Sequence, residues 1–495
     1  MALLLGYDVG SSSVKATLME AGTGKVFGAA TSPNQELEII AKKPGWAEQN
    51  PETWWEHVKL ATAKIRERTQ FDPWDVKAIG ISYQMHGLVA VDRYKRVLRP
   101  SIIWCDSRAV QIGQQAAKAI GPKKCLKKLL NLPGNFTASK LKWVKDNEPK
   151  LYSRIDKIML PGDYIAMKMT GEIKTTPSGL SEGILWDYEK DALAEFVLAN
   201  YGISPDLIPE MVPTFSVQGE LTAEAADELG LKTATKIGYR AGDQPNNALS
   251  LSVLQPGEIA VTAGTSGVVY GVTDKKNYDS KSRVNVFVHV NHSEKKPRYG
   301  VLLCVNGTGI LNSWLKQNFA GEGMNYPQMN DLAAQAPVGS EGLTILPYGN
   351  GAERTLENRD LRASVHGWNF NIHKKSHFLR AAQEGIVFAL QNGLTIMTEM
   401  GTRLKTVKAG NANMFLSPLF AEAFATVTGA TVELYNTDGS QGAARGAGIG
   451  TGLYRGTNDA FIGLEPVRTV APNKQLKKAY QAAYESWTET LGRQL

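Results

Sequence analysis

Gly6-Tyr7-Asp8-Val9-Gly10-Ser11-Ser12-Ser13-Val14-Lys15 decides the fold. Apolar residues run into it over positions 3–7 and out of it over 14–19, so it reads as strand, small-residue turn, strand. A second tight turn, Ala21-Gly22-Thr23-Gly24, leads into a third strand over 26–30, and two such turns in succession make an antiparallel meander. Asn50 then caps a helix with Pro51 at its first position, and Trp54, Val58, Ala61 and Ile65 share one face. Strands follow over 76–82 and 88–92.

The second half rebuilds the pattern. A strand over 258–262, the turn Ala263-Gly264-Thr265-Ser266-Gly267 and a strand over 268–273 match the opening in kind. Ser376 is expected to cap a long apolar helix, and Ser417-Pro418 to start another that Gly429 ends before a strand over 431–435. The chain therefore reads as one α/β unit present twice, with Gln255-Pro256-Gly257 as punctuation. Chance likeness of two Gly-Ser-Thr turns is the alternative.

Bulk composition agrees with a folded chain. Of 495 residues, 43% are hydrophobic and 21% charged, which excludes disordered and collagen-like classes. The net charge is +7, but the basic residues are dispersed. The densest group, Lys123, Lys124, Lys127 and Lys128, has the spacing of a solvated helix face rather than a nucleic-acid groove. Cys105, Cys125 and Cys304 form no CxxC pair, so neither zinc nor a disulfide framework is indicated, and a reducing cytoplasm is the simplest setting. No apolar stretch is long enough for a membrane span.

Several constellations can carry chemistry. The turn after Asp8 offers N–H groups and the hydroxyls of Ser11 and Ser12 to phosphate oxygens, with Lys15 beyond. Asp8 among phosphates makes sense as a carboxylate facing a divalent cation; a plain hairpin is the other reading. Gly264, Thr265 and Ser266 offer the same donors, with Thr262 where Asp8 would align. Asp243, at a strand end and before a small-residue helix, suits a general base, or equally an N-cap. Gln84, Met85 and His86 can hold vicinal hydroxyls and cover a sugar face, though a lone His is as readily structural. Asp106 can accept sugar hydroxyls or pair with Arg108. The segment from Ala409 to Asn413, with Gly410 and Asn411, leaves room for a flat base, or is an ordinary strand–helix turn.

Taken together, and in this order, these segments resemble the FGGY carbohydrate kinases over positions 6–453. Trp46-Ala47-Glu48-Gln49, Pro51-Glu52-Thr53-Trp54-Trp55, Leu160-Pro161-Gly162-Asp163-Tyr164, Glu353-Arg354-Thr355 and Gly442-Ala443-Ala444 match as well, and Gln84-Met85-His86-Gly87 is similar to the sugar motif of the xylulokinase branch. Cys105, Gln244 and the sequence Ala409-Gly410-Asn411-Ala412 depart from the family's usual residues. The resemblance implies an α/β fold of two ribonuclease-H-like lobes, of the actin and sugar-kinase type, flanking a deep cleft. It implies a sugar-binding lobe over 1–245 and a nucleotide-binding lobe over 246–495. It implies ATP and Mg²⁺, with Asp243 as general base and Asp8 and Asp243 near the metal, through water. It implies sugar contacts from Gln84, Met85, His86 and Asp106, and nucleotide contacts from Ser11, Ser12, Lys15, Gly264, Thr265, Ser266, Gly410, Asn411 and Asn413. The expected reaction is phosphorylation of a pentulose, D-xylulose first, by a cytoplasmic enzyme that takes no nucleic acid or membrane partner and is a candidate homodimer. Kinases for ribulose, gluconate or glycerol, an actin- or chaperone-like ATPase, and a sugar-binding regulator without turnover are the alternatives.

Overall fold

The computed structural model describes residues 1–495 apart from Glu322, Arg403 and Lys405. Its first half is built on a six-stranded sheet. Strands β1 (Leu3–Val9), β2 (Val14–Glu20) and β3 (Val26–Ser32) form the expected antiparallel meander. They are joined by β4 (Val76–Tyr83), β5 (Phe215–Glu220) and β6 (Lys236–Gly242) in the order β5-β6-β4-β1-β2-β3. β1, β4 and β6 are parallel, so their carboxyl ends lie on one rim. Helix α1 (Pro51–Arg68) covers one face. Asn50 accepts from Glu52 N–H as its cap, and Trp54, Val58, Ala61 and Ile65 are all buried.

The second sheet repeats the plan. β7 (Ile259–Ala263), β8 (Gly267–Thr273), β9 (Asn285–Val288), β10 (Tyr299–Val305), β11 (Thr406–Gly410), β12 (Thr431–Tyr435) and β13 (Pro466–Val470) lie in the order β9-β10-β8-β7-β11-β12-β13. β7 pairs antiparallel with β8 and parallel with β11, just as β1 pairs with β2 and β4. One strand order appearing twice is the architectural form of the duplication that two short turns suggested. Helix α2 (Asp243–Ser250) joins the sheets, and α3 (Lys375–Glu399) and α4 (Pro418–Thr428) pack about the second.

The last helix of the duplicated pattern, α5 (Gly439–Gly450), lies against β1, β2, β4, β5 and β6 of the first sheet, although it follows the second sheet's strands in sequence. Small residues make the approach possible. A Cβ on Gly6 would run into the Ser440 carbonyl, one on Gly80 into the Ala443 carbonyl, and one on Gly238 would sit 2.5 Å from the Ala447 carbonyl. A Cβ on Gly446 would lie 2.6 Å from the Tyr239 ring and one on Gly448 would run into that of Tyr454, so both glycines belong to close helix packing.

Three local expectations need correction. Ser376 does not cap the long helix, which starts at Lys375 with the Lys374 N–H closed by His377 Nδ1 at 3.1 Å. The strand expected over 88–92 is the short Val89–Val91, which leaves the main sheet and pairs with Lys157–Met159. The small-residue helix expected to follow Asp243 begins at Asp243 itself, which matters for the site. Lys127 and Lys128 bridge to Asp187 and Glu189 on a short helix, as a solvated face should.

Candidate active site

The parallel strands of the first sheet bring two carboxylates to their common rim, where α/β folds present ligands. Asp8, next to last in β1, stands opposite Lys15 on β2 and Ser82 on β4; Ala241 of β6 aligns with the same Ser82, and Asp243 follows two residues on. Ser82 Oγ donates to Asp8 Oδ1 at 2.9 Å. The N-terminus of α5 closes in from behind, capped by Asp438, which accepts from Gln441 N–H at 3.0 Å and from Ser440 Oγ at 2.8 Å. A Cβ on Gly439 would lie 2.5 Å from Asp8 Oδ2, so only glycine fits there. Burial raises the pKa of Asp8; Lys15 and Ser82 oppose the rise and Asp438 adds to it.

Asp243 is the first residue of α2, and the cap position belongs to Gly242, with no side-chain capping bond. Its carboxylate therefore does not serve as the N-cap, although Gln244 donates to it. Burial first, and the charge of Asp8 second, push it up to about 7, against hydrogen bonds from Gln244. A carboxylate titrating near neutrality at a cleft rim is poised to accept a proton.

The Gln84-Met85-His86 segment continues from β4 beside these groups. Gln84 Nε2 donates to Gln49 Oε1 at 3.2 Å, and Gln49 Nε2 donates to the Ser11 carbonyl at 2.7 Å, so one amide ties this segment to the β1–β2 turn. Met85 fills the space a Cβ on Gly242 would take, its Cγ 2.5 Å from that position. His86 holds a left-handed backbone, φ 61°, with Lys140 Nζ donating to its carbonyl at 2.8 Å and to that of Ile103 at 2.9 Å. His86 Nδ1 lies 2.9 Å from the Glu182 carbonyl, which can only accept, so the proton sits on Nδ1 and Nε2 is an acceptor. Burial, with the charge of Lys140 adding to it, brings the ring down to about 3, so it is neutral at any working pH. The ring packs 5.6 Å from Phe287 of β9, placing the motif against the second sheet.

Asp106 is placed differently from the sugar-binding expectation. It is fully buried. Oδ1 accepts from Arg108 N and Nε, and Oδ2 from Ala47 N–H at 2.6 Å and Arg108 Nη2 at 2.6 Å. Both oxygens are engaged, so the ion pair with Arg108 is the interaction formed, and it braces the segment around Trp46, whose ring lies 3.8 Å from the guanidinium.

Across from these groups, a cleft of about 440 Å³ is lined by Gly264, Thr265, Ile310, Tyr326, Asn413 and Ser417, among others. It opens on the β7–β8 turn, and Gly264, Thr265 and Asn413 all line it. Gly410 ends β11, and Asn411 turns to the β12 end, its N–H donating to the Tyr435 carbonyl at 2.8 Å. Ser266 reaches Cys304 instead. In the first turn, Ser11 Oγ accepts from Trp104 Nε1 at 3.2 Å, while Ser12 and Lys15 are exposed.

Two residues of the site escaped sequence reading. Lys140 had a signal: with Thr137, Leu141 and Val144 it occupies the buried stripe of helix Thr137–Asn147, where a lysine needs a reason. Glu182, 1% exposed and 4.0 Å from His86 Nδ1, had none.

No cluster of three or more His, Cys, Asp or Glu side chains fit to hold a metal occurs among the described residues. Asp243 and Asp8, whose charge raises the pKa of Asp243, do fit Mg²⁺, which is held by one or two carboxylates together with water and substrate phosphates. No described helix is long and apolar enough to cross a membrane.

Comparison with known proteins accords with this geometry. The model of the FGGY family of carbohydrate kinases matches in both its parts, the N-terminal domain over residues 3–250 and the C-terminal domain over 259–450. A xylulose kinase of Bacillus subtilis is 30% identical over 92% of this chain and 89% of its own. The crystal structure of a xyloylose kinase from Brucella ovis is 27% identical, covers 99% of each chain and superposes with a TM-score of 0.87. A gluconate kinase from Lactobacillus acidophilus, 22% identical and covering 99% and 98% of the two chains, shares the fold at 0.88. The chain belongs to the FGGY family of carbohydrate kinases and is a sugar kinase that takes its phosphoryl group from ATP.

Proposed function

We propose that the sugar is a pentulose, D-xylulose before others, and that Asp243 is the general base. The observation that carries this is a carboxylate pushed up to about 7, free of any capping role, beside Asp8 and next to the Gln84-Met85-His86 segment. Sugar bound on the first sheet's rim meets a neutral His86 whose Nε2 accepts a hydroxyl, with Gln84 and Met85 beside it. The terminal hydroxyl gives its proton to Asp243 as its oxygen bonds to the γ-phosphorus, and the bond from that phosphorus to the β–γ bridging oxygen breaks, leaving ADP with the electron pair. Asp8 and Asp243 would hold Mg²⁺ through water, and bound there it would neutralise charge on the phosphates. Thr265 and Asn413 line the nucleotide side, and Ser12 and Lys15 extend the phosphate surface. The names of the full-length relatives favour xylulose over other pentuloses. ATP as co-substrate and three unpaired cysteines accord with a cytoplasmic setting.

ADP release measured over D-xylulose, L-xylulose, D- and L-ribulose, gluconate and glycerol tests the substrate. D-xylulose should give the highest kcat/KM, and preference for another acceptor overturns that choice. Replacing Asp243→Asn should cost about 10²–10⁴-fold in kcat; near-normal turnover would sink the base assignment. ATP hydrolysis indifferent to every sugar would favour an actin-like ATPase.

A further inference from the structure

Three turns are stacked at the end of the second sheet. The β7–β8 turn accepts from the next one, Gly309 N–H to the Gly264 carbonyl at 2.9 Å and Ile310 N–H to that of Thr265 at 3.1 Å. That segment is gripped in turn by Glu353, whose carboxylate accepts from Asn306 N–H at 2.9 Å and Gly307 N–H at 3.1 Å, while Asn306 Nδ2 donates to the Ala352 carbonyl at 2.9 Å. Glu353 thereby fixes the backbone from which Arg354 springs. The short turn Arg354–Leu356 packs on β10, beside Cys304, which pairs with Val268 just past the phosphate turn.

Arg354 has an unusual environment. Other deeply placed arginines are answered: Arg99 by Glu48, Arg108 by Asp106 and Glu48, Arg240 by Asp163 and Arg380 by Glu384, while Arg445 donates to backbone carbonyls. Arg354 is half-buried, and among the described residues it has neither a carboxylate within salt-bridge distance nor a hydrogen-bond acceptor. Burial alone lowers it to about 10, with only Cys304 opposing, and it still bears its charge. Its field reaches His86 on the other side, helping to keep that ring neutral. A guanidinium beside Cys304, within electrostatic reach of His86 and with no carboxylate paired to it among the described residues, is a fork awaiting an anion.

We propose that Arg354 binds the phosphoryl group in transfer, donating to its non-bridging oxygens, and stays on the phosphate of the sugar product. This rests on the kinase reading above and adds a cationic residue to it. The bonds made and broken are unchanged; Arg354 answers negative charge as it crosses from ADP to the sugar oxygen.

The variants Arg354→Ala and Arg354→Lys test it. In Arg354→Ala, kcat should fall about 10²–10³-fold, with Kd for D-xylulose within about threefold of wild type. Kd for D-xylulose 5-phosphate should rise about tenfold or more, since a charge-assisted pair is lost. Millimolar guanidinium should restore part of the rate, and Arg354→Lys should fall between, keeping charge without the fork. Equal weakening of sugar and sugar phosphate, or wild-type kinetics in Arg354→Lys together with no guanidinium rescue, overturns the proposal; if the alanine variant fails to fold, wild-type kinetics and product affinity in Arg354→Lys alone do so. Should the wild type phosphorylate no sugar of the panel, the substrate reading falls by itself. Sugar-free ATP hydrolysis then decides on Arg354, which an unchanged rate in both variants overturns.

Discussion

The two phosphate turns share a frame and differ in what stands at the strand end. At β1, Asp8 brings a charge, answered by Ser82 and Lys15 and opposed by Asp438. At β7, the aligned position is Thr262, whose hydroxyl accepts from Asn247 Nδ2 at 2.7 Å. Helix α2 serves both: Asp243 at its start faces Asp8, and Asn247, one helical turn later, faces Thr262. If Asp243 is the base, the copy that carries Asp8 is the charged, chemical side and the other the neutral, binding side. A second carboxylate among nucleotide phosphates would repel them without adding chemistry.

Removing the charge from the chemical side should have the largest effect. Asp8→Asn keeps the Ser82 hydrogen bond in reach but loses the anion, and kcat should fall about 10²–10³-fold while Kd for ATP moves by less than about fivefold. Steady-state rates beside titration calorimetry check this. An equal loss in both would make Asp8 a ground-state binding residue and blur the contrast between the turns.

Adding charge to the binding side should do the reverse. Thr262→Asp puts a carboxylate near the cleft lined by Gly264 and Thr265, and ATP affinity should drop about tenfold with the affinity for sugar unchanged. Undiminished ATP binding in that variant would show that the second turn does not face the phosphates.

Much of this asymmetry is legible in the sequence, because turns, caps and strand runs are local. Asp8 and Thr262 align by inspection, and Asn50-Pro51 and Ser417-Pro418 mark their helices by cap chemistry. What is not legible depends on contacts between distant segments. Asp106 reads equally as a sugar acceptor or a partner of Arg108, and burial against Ala47 decides it. Gly410 and Asn411 belong to a suggestive loop, yet the strand runs on to Gly410 and carries them to the β12 side, leaving Asn413 to turn into the cleft. The placement of α5 on the first sheet, and Arg354 without a counter-ion among the described residues, follow from the fold alone.

A pH profile sharpens the comparison on the charged side. Asp243 must be ionised to accept a proton, so kcat/KM should fall toward acid below about 7. His86, held near 3, adds no limb of its own in the neutral range. In Asp8→Asn the like charge is gone, and the residual activity should show its acid limb moved down by roughly one pH unit. An unmoved limb would mean that burial alone sets the value.

The smallest effect is on stability, and its sign is opposite to that on activity. A carboxylate whose folded pKa is about 7, well above its ordinary value of 3.8, binds more protons folded than unfolded between those values. Its ionisation therefore costs the native state stability as pH rises through that window, and the full cost is carried above it. Asp243→Asn cannot ionise, so the inactive variant should melt a few degrees higher than wild type at about pH 8, the gap narrowing toward pH 4. Differential scanning calorimetry across that range reads it directly. A variant less stable than wild type at alkaline pH would show Asp243 to be structurally satisfied as an anion, which a side chain kept free for a substrate proton is not.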